Sequence, residues 1–213
     1  MGEINLDEQL VSACQNGHWE AFESLVARYE RKIYNLAFRL SGNAEDANDL
    51  AQETFVRLYR SIHTFKGQSA FSTWLYRIAT NVCLDEIRRR QRHPTMSLDA
   101  PLETEEGQME RDVVDLTQLP EFIYESKELR QLVQRLISEL SEDHRTVLIL
   151  RDFENLSYEE IAEILGCQLG TVKSRLNRAR AALKDRIIAE RELFESLVHQ
   201  RGERREAYGL QKS

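Results

Sequence analysis

A chain of 213 residues, 41% hydrophobic and 31% charged, can fill one large or two small cores and is too apolar to be a disordered segment. No apolar run reaches membrane-spanning length, and the opening MGEINLDEQL lacks the basic start and apolar stretch of an export signal, so a cytoplasmic protein is expected. The net charge of −7 excludes a uniformly basic nucleic-acid binder but not a locally basic one.

With only 3 prolines and 9 glycines, the chain favours helix over turn-rich sheet. The first block runs from about Leu6 to Arg92. Leu10, Ala13 and Cys14 begin a helix that Gly17 ends. Phe22, Leu25, Val26, Tyr29, Ile33, Leu36 and Leu40 recur at helical spacing and predict a long second helix stopped at Ser41–Gly42. Asn43 with Asp46 is a capping signature for a third, whose buried face is Ala47, Leu50, Ala51, Thr54 and Leu58. Asp46, Asp49, Gln52, Glu53 and Arg57 fall on its other side, which by composition alone is an ordinary solvated face.

A short loop, Thr64 to Ser69, precedes a fourth helix with Phe71, Leu75, Ile78 and Val82 on one stripe. Phe65, Lys66, Gly67, Gln68 and Ser69 stand before Trp74, Tyr76, Arg77 and Asn81, and the helix closes on Arg88, Arg89, Arg90 and Arg92. Rings beside amides and guanidinium groups supply what single-stranded bases need: faces to stack on, hydrogen bonds for exposed edges, cations for phosphates. Equally, Trp74 and Tyr76 can be core, and a helix C-terminus favours cations in any protein. The residues leave both readings open.

From about His93 to Pro120 the periodicity fades, and all three prolines (Pro94, Pro101, Pro120) fall here. Ten acids and two bases lie between Ser97 and Glu128, so acids and bases almost balance in the rest of the chain. Such a segment cannot offset its ordering entropy by burial, and a flexible acidic linker is expected over residues 94–120. The second block then carries a helix through Leu129, Leu132, Val133, Leu136 and Leu140, and another, started by Ser141, through Val147, Leu148 and Phe153.

Ser157 to Lys184 reads as a helix-turn-helix. Ser157 and Glu160 form a capping box, Ile161, Ile164 and Leu165 an apolar stripe, and Gly166 a left-handed stop. Val172, Leu176, Ala179 and Leu183 share one face of the next helix, while Lys173, Arg175, Asn177, Arg178, Arg180 and Lys184 take the remaining circumference. Apolar on one side and basic on the other, that helix suits a major groove. A helical hairpin with a solvated basic face is the plainer alternative. After Asp185 the tail is expected to stay helical to about His199 and then fray.

Cys14, Cys83 and Cys167 are odd in number and lack metal-ligand spacing; each lies beside an apolar stripe or at the turn, so reduced thiols acting as small hydrophobes are expected rather than a metal or redox centre. The five histidines are scattered singly, and no P-loop, HExxH or dinucleotide fingerprint is found, so neither a cofactor nor an enzyme is expected.

DLAQETFVRLYRS (Asp49–Ser61), FSTWLYRIATN (Phe71–Asn81) and LSYEEIAEILGCQLGTVKSRLNRAR (Leu156–Arg180) occur in this order, and with them the chain resembles the extracytoplasmic-function sigma factors of the sigma-70 family. The resemblance implies an all-α fold of two small helical domains joined by the flexible acidic linker. Residues 1–93 correspond to sigma region 2, 121–186 to sigma region 4 with the helix-turn-helix, and 187–213 to an extension of unknown role. It implies that Asp49, Leu50, Gln52 and Glu53 dock on the β′ clamp of core RNA polymerase, with the β flap as a second contact. By the same resemblance, Phe65, Lys66, Gly67, Gln68, Ser69, Trp74, Arg77, Asn81 and Arg88 meet melted −10 DNA, where trapping a flipped base shifts the duplex towards the open state. Thr171, Lys173, Ser174, Arg175, Asn177 and Arg178 meet the −35 duplex. The family often has an aromatic residue or His where Asn177 stands, and Pro where Gln168 or Leu169 stands. The resemblance also implies an anti-sigma protein as a partner and the acidic linker in a polymerase channel. A polymerase-independent helix-turn-helix regulator is the alternative, and it leaves the Asp49–Glu53 face and the Phe65 loop unused.

Overall fold

The computed structural model describes residues 6–92, 129 and 131–190. The acidic linker and the tail from residue 191 lie outside them. Helix α1 spans Leu6–Gln15, α2 Trp19–Ser41, α3 Ala44–Ser61 and α4 Phe71–Arg92. In the second unit, α5 covers 131–138, α6 Glu142–Leu148, α7 Tyr158–Leu165 and α8 Leu169–Ala189. No strand occurs among the described residues.

The expected boundaries follow from local chemistry. Gly42 ends α2 in the left-handed region at φ 78°, its N–H returning to the Phe38 carbonyl. The Asn43 carboxamide oxygen then accepts from the Glu45 and Asp46 N–H groups, so α3 starts almost at once. This tight corner folds α3 back along α2, and Leu25, Ile33, Leu36, Leu40 and Leu58 close between them with no more than 1% exposure.

One feature has no local signal in the sequence: the two units share a continuous core. Buried residues from Val11 to Cys83 and from Ile137 to Ala179 form one apolar cluster, with α7 laid against α4 and the turn Ile149–Phe153 against α2. Polar groups fasten the seam. Tyr76 donates to Glu154 Oε2 at 2.7 Å and Arg39 to Glu154 Oε1 at 3.3 Å. Thr73 donates to Glu160 Oε1 at 3.2 Å, and Arg88 reaches Glu142 Oε1 at 2.6 Å. Gln134 donates to the Arg39 carbonyl at 3.0 Å and Arg145 to the Leu40 carbonyl at 3.0 Å.

Candidate nucleic-acid interface

The capping box expected at α7 is complete: Glu160 N–H donates to Ser157 Oγ at 3.2 Å, and Ser157 N–H donates to Glu160 Oε2 at 2.8 Å. Burial acts to raise the Glu160 pKa, but hydrogen bonds from the Ser157 hydroxyl and N–H and from Thr73 hold it below the usual carboxylate value. Gly166 closes α7 at φ 60°, and the Cys167 N–H returns to the Ala162 carbonyl at 3.0 Å. Three residues later α8 is under way. Val172, Leu176 and Ala179 are buried beneath it, with 1% exposure or less. Lys173, Ser174, Asn177 and Arg178 are exposed at i, i+1, i+4 and i+5, on the side away from that core. Thr171 and Arg175 are half-buried, and Arg175 pairs with Asp143 of α6 at 2.9 Å. At 21 residues, α8 runs on past Asp185 to Ala189, as expected for the start of the tail.

In the first unit the loop after the single turn Ile62–Thr64 is pinned from α1. The Gln15 carboxamide donates to the carbonyls of Ile62 and Phe65, each at 2.9 Å. Phe65 packs on Phe71 and Trp74 at ring separations of 5.9 and 5.1 Å. Lys66 and Gln68 stand exposed around Gly67, whose φ of 68° suits a residue without a side chain, and Ser69 is half-buried. Asn81 is exposed beside an open depression that it lines with Arg57, Arg60, Ser61 and Ile78, and Arg77 is half-buried.

Two candidate residues are buried. Trp74 is 8% exposed because α4 turns it, with Phe71 and Leu75, into the core, so it supports Phe65 from beneath and offers no free face to a base. Leu50 is 6% exposed on the inner stripe of α3, leaving Asp49 and Gln52 exposed and Glu53 half-buried as the outward face. Arg88 is half-exposed, and its guanidinium is engaged by Glu142 of the other unit.

The end of α4 is a network of ions. Glu86 takes Arg89 and Arg90 at 2.8 and 2.7 Å, and hydrogen bonds from both hold its carboxyl down at about 2. Arg90 also grips Asp46 bidentately at 2.5 and 2.6 Å, tying α4 to the start of α3. Burial, then the Glu154 carboxylate, raise the Tyr76 phenol well above its ordinary value, so it stays a donor. Burial alone pushes the Cys83 thiol up to about 12. Among the described residues no group of three or more His, Cys, Asp or Glu could hold a metal ion, and no helix is long and apolar enough to cross a membrane. Sequence reasoning missed Glu154, Glu142, Gln134 and Arg145, whose partners lie roughly fifty to over a hundred residues away and leave no local pattern.

Comparison with known proteins matches residues 25–93 to Sigma-70 region 2 and residues 130–183 to Sigma-70, region 4. The chain is 42% identical over 177 residues to the RNA polymerase sigma-H factor of Pseudomonas aeruginosa, covering 83% of this chain and 91% of that protein. It is 40% identical over 187 residues to the ECF RNA polymerase sigma-E factor of Escherichia coli, covering 88% and 97%. Among solved structures, the sigma factor RpoE of Bartonella quintana, bound to the anti-sigma factor NepR, aligns with a TM-score of 0.58 at 27% identity over 77% of this chain and 94% of that one. CnrH, in complex with the cytosolic domain of CnrY, shares the fold with a TM-score of 0.65 at 24% identity over 87% and 99%. Sigma factors are non-catalytic. With both regions in order and such identity over most of its length, the chain belongs to the extracytoplasmic-function sigma factors of the sigma-70 family, the promoter-specific factors of transcription initiation.

Proposed function

We propose that this chain binds core RNA polymerase through the outward face of α3, reads a −35 duplex with α8 and captures melted −10 DNA at the Phe65–Ser69 loop and Asn81. The observation that carries this is the exposed row of Lys173, Ser174, Asn177 and Arg178 opposite the buried stripe of α8, a surface shaped for a major groove. Lys66, Gln68 and Asn81 supply the cation and amides that an extruded base and its backbone need. The chain carries out no covalent step and acts in the cytoplasm. An apolar groove lined by Leu148, Phe153, Leu183, Ile187 and Ile188 at the end of α8 suits a helix of the polymerase β flap. An anti-sigma protein is a further partner, because the structural relative from Bartonella quintana is held by one.

The closed packing cannot serve both DNA elements together. Some 25 base pairs separate −35 from −10, roughly 85 Å at about 3.4 Å per pair. A closed body of about 150 residues has a radius of gyration near 15 Å and is therefore roughly 40 Å across. The units must part at the seam around Glu154 when the chain spans a promoter. Run-off transcription with core polymerase on genomic fragments tests the function: transcripts starting at discrete sites support it, and a complete absence of factor-dependent starts rejects it. Promoter binding without polymerase, at full strength, would instead favour an independent regulator.

A further inference from the structure

Two aromatic rings stand out in water on the first unit. Trp19 opens α2 and is 52% exposed, and Tyr59, near the end of α3, is 54% exposed. Their rings meet edge to face at 5.5 Å. Both rest on Phe22, at 5.5 and 5.1 Å, itself 7% exposed. Trp19 Nε1 donates to Glu23 Oε1 at 2.7 Å, which fixes the indole further. The pair is therefore preorganised over a core ring, and an ordered aromatic patch of this kind is the usual centre of a binding surface.

Its position says which surface. On α3, Asp49, Gln52, Val56 and Tyr59 recur at i, i+3, i+7 and i+10, so the ring pair ends the same stripe that begins with the acidic face. Val56, 42% exposed, joins the two ends. Exposed acids outnumber bases along it: Asp49 in the stripe, Glu45 before it and Glu20 and Glu23 beside Trp19, against Arg60 next to Tyr59. Arg57 is spent on Glu53, at 2.7 Å. A partner that fits is basic and offers an apolar side chain at one end, and two copies of this acidic face would repel each other.

We infer that Trp19 and Tyr59 form the aromatic anchor of the α3 docking face, receiving an apolar side chain from a basic helical segment of core RNA polymerase. The anchor rests on the proposed polymerase role of that face. It explains why two rings remain in water on a chain that buries Tyr29, Phe71 and Trp74.

The test uses the full chain and purified core polymerase, with affinity read by anisotropy of the dye-labelled factor. W19A and Y59A are each expected to weaken binding about thirtyfold, a typical loss for a truncated aromatic hot spot, with W19F retaining most of the affinity. A double substitution, Gln52→Ala with Glu53→Ala, separates the two ideas. Loss there with wild-type binding by W19A and Y59A overturns the anchor and leaves the face standing. Wild-type binding by all three variants overturns both. A direct readout guards against misfolding: with 5-hydroxytryptophan incorporated, Trp74 is already shielded at 8% exposure, so quencher access reports Trp19. Core polymerase should protect it; unchanged quenching in the saturated complex, or a self-association that W19A abolishes, refutes the inference.

Discussion

Replacing Tyr76 with Phe removes a single oxygen from the seam between the units. That hydroxyl donates to Glu154 Oε2 at 2.7 Å, with Tyr76 5% exposed and the Glu154 side chain 8% exposed. The ring keeps its packing, and Arg39 keeps its contact with the carboxylate at 3.3 Å. A hydrogen bond to a charged, water-excluded acceptor is worth about 1.5–3 kcal/mol. Because this one exists only when the units are together, its loss falls on the closed state alone. Taking about 2 kcal/mol, the ratio of open to closed molecules rises about thirtyfold. Dyes on unnatural residues at the exposed positions Glu30 and Glu163, one on each unit, report the separation by energy transfer. The variant should lose transfer efficiency, and if opening limits promoter binding, its apparent Kd should fall by the same factor. Transfer unchanged from wild type would show that the seam is not held by this bond, and the reasoning would fail at its first step.

Three other outcomes are expected. Arg178→Ala should cost about 1–3 kcal/mol of −35 discrimination if the guanidinium reads a guanine, measured with duplexes carrying single base changes; equal weakening on all sequences would reassign it to phosphate. Asn81→Ala should leave core polymerase affinity intact and reduce permanganate reactivity of −10 thymines, and persistence of that reactivity would remove Asn81 from base capture. The Glu86 carboxyl, held near 2 when folded and titrating near 4.5 when free, stabilises the fold fully above pH 4.5 and loses that contribution as the pH falls towards about 2. Glu86→Gln should therefore flatten the acid limb of a urea-melt series across that window, whereas identical slopes would contradict the Arg89 and Arg90 pairing.

What the sequence made legible was whatever depends on near neighbours. Ser157 with Glu160, Asn43 before α3 and Gly166 after α7 each settle a helix end within three or four residues, and each is found as read. The buried stripe of α8 follows from period alone. Sequence left a choice open where a residue type suits two surroundings. Trp74 suits a base or a core equally by type, and only the placement of Phe65 and Phe71 around it turns it inward. Leu50 belongs to the docking string by resemblance and to the apolar stripe by period, and its burial follows the period. The seam was invisible because Tyr76 and Glu154 are 78 residues apart, and nothing in either neighbourhood asks for the other.

Helix α2 is finished by side chains that are not its own. Gln134 and Arg145 donate to the carbonyls of Arg39 and Leu40, groups left without partners inside the helix, and Arg145 brings a cation to its negative end. The N-terminal half severed from the rest must leave those carbonyls to water. The intact chain should consequently melt at a higher temperature than that severed half, by the margin these borrowed donors supply.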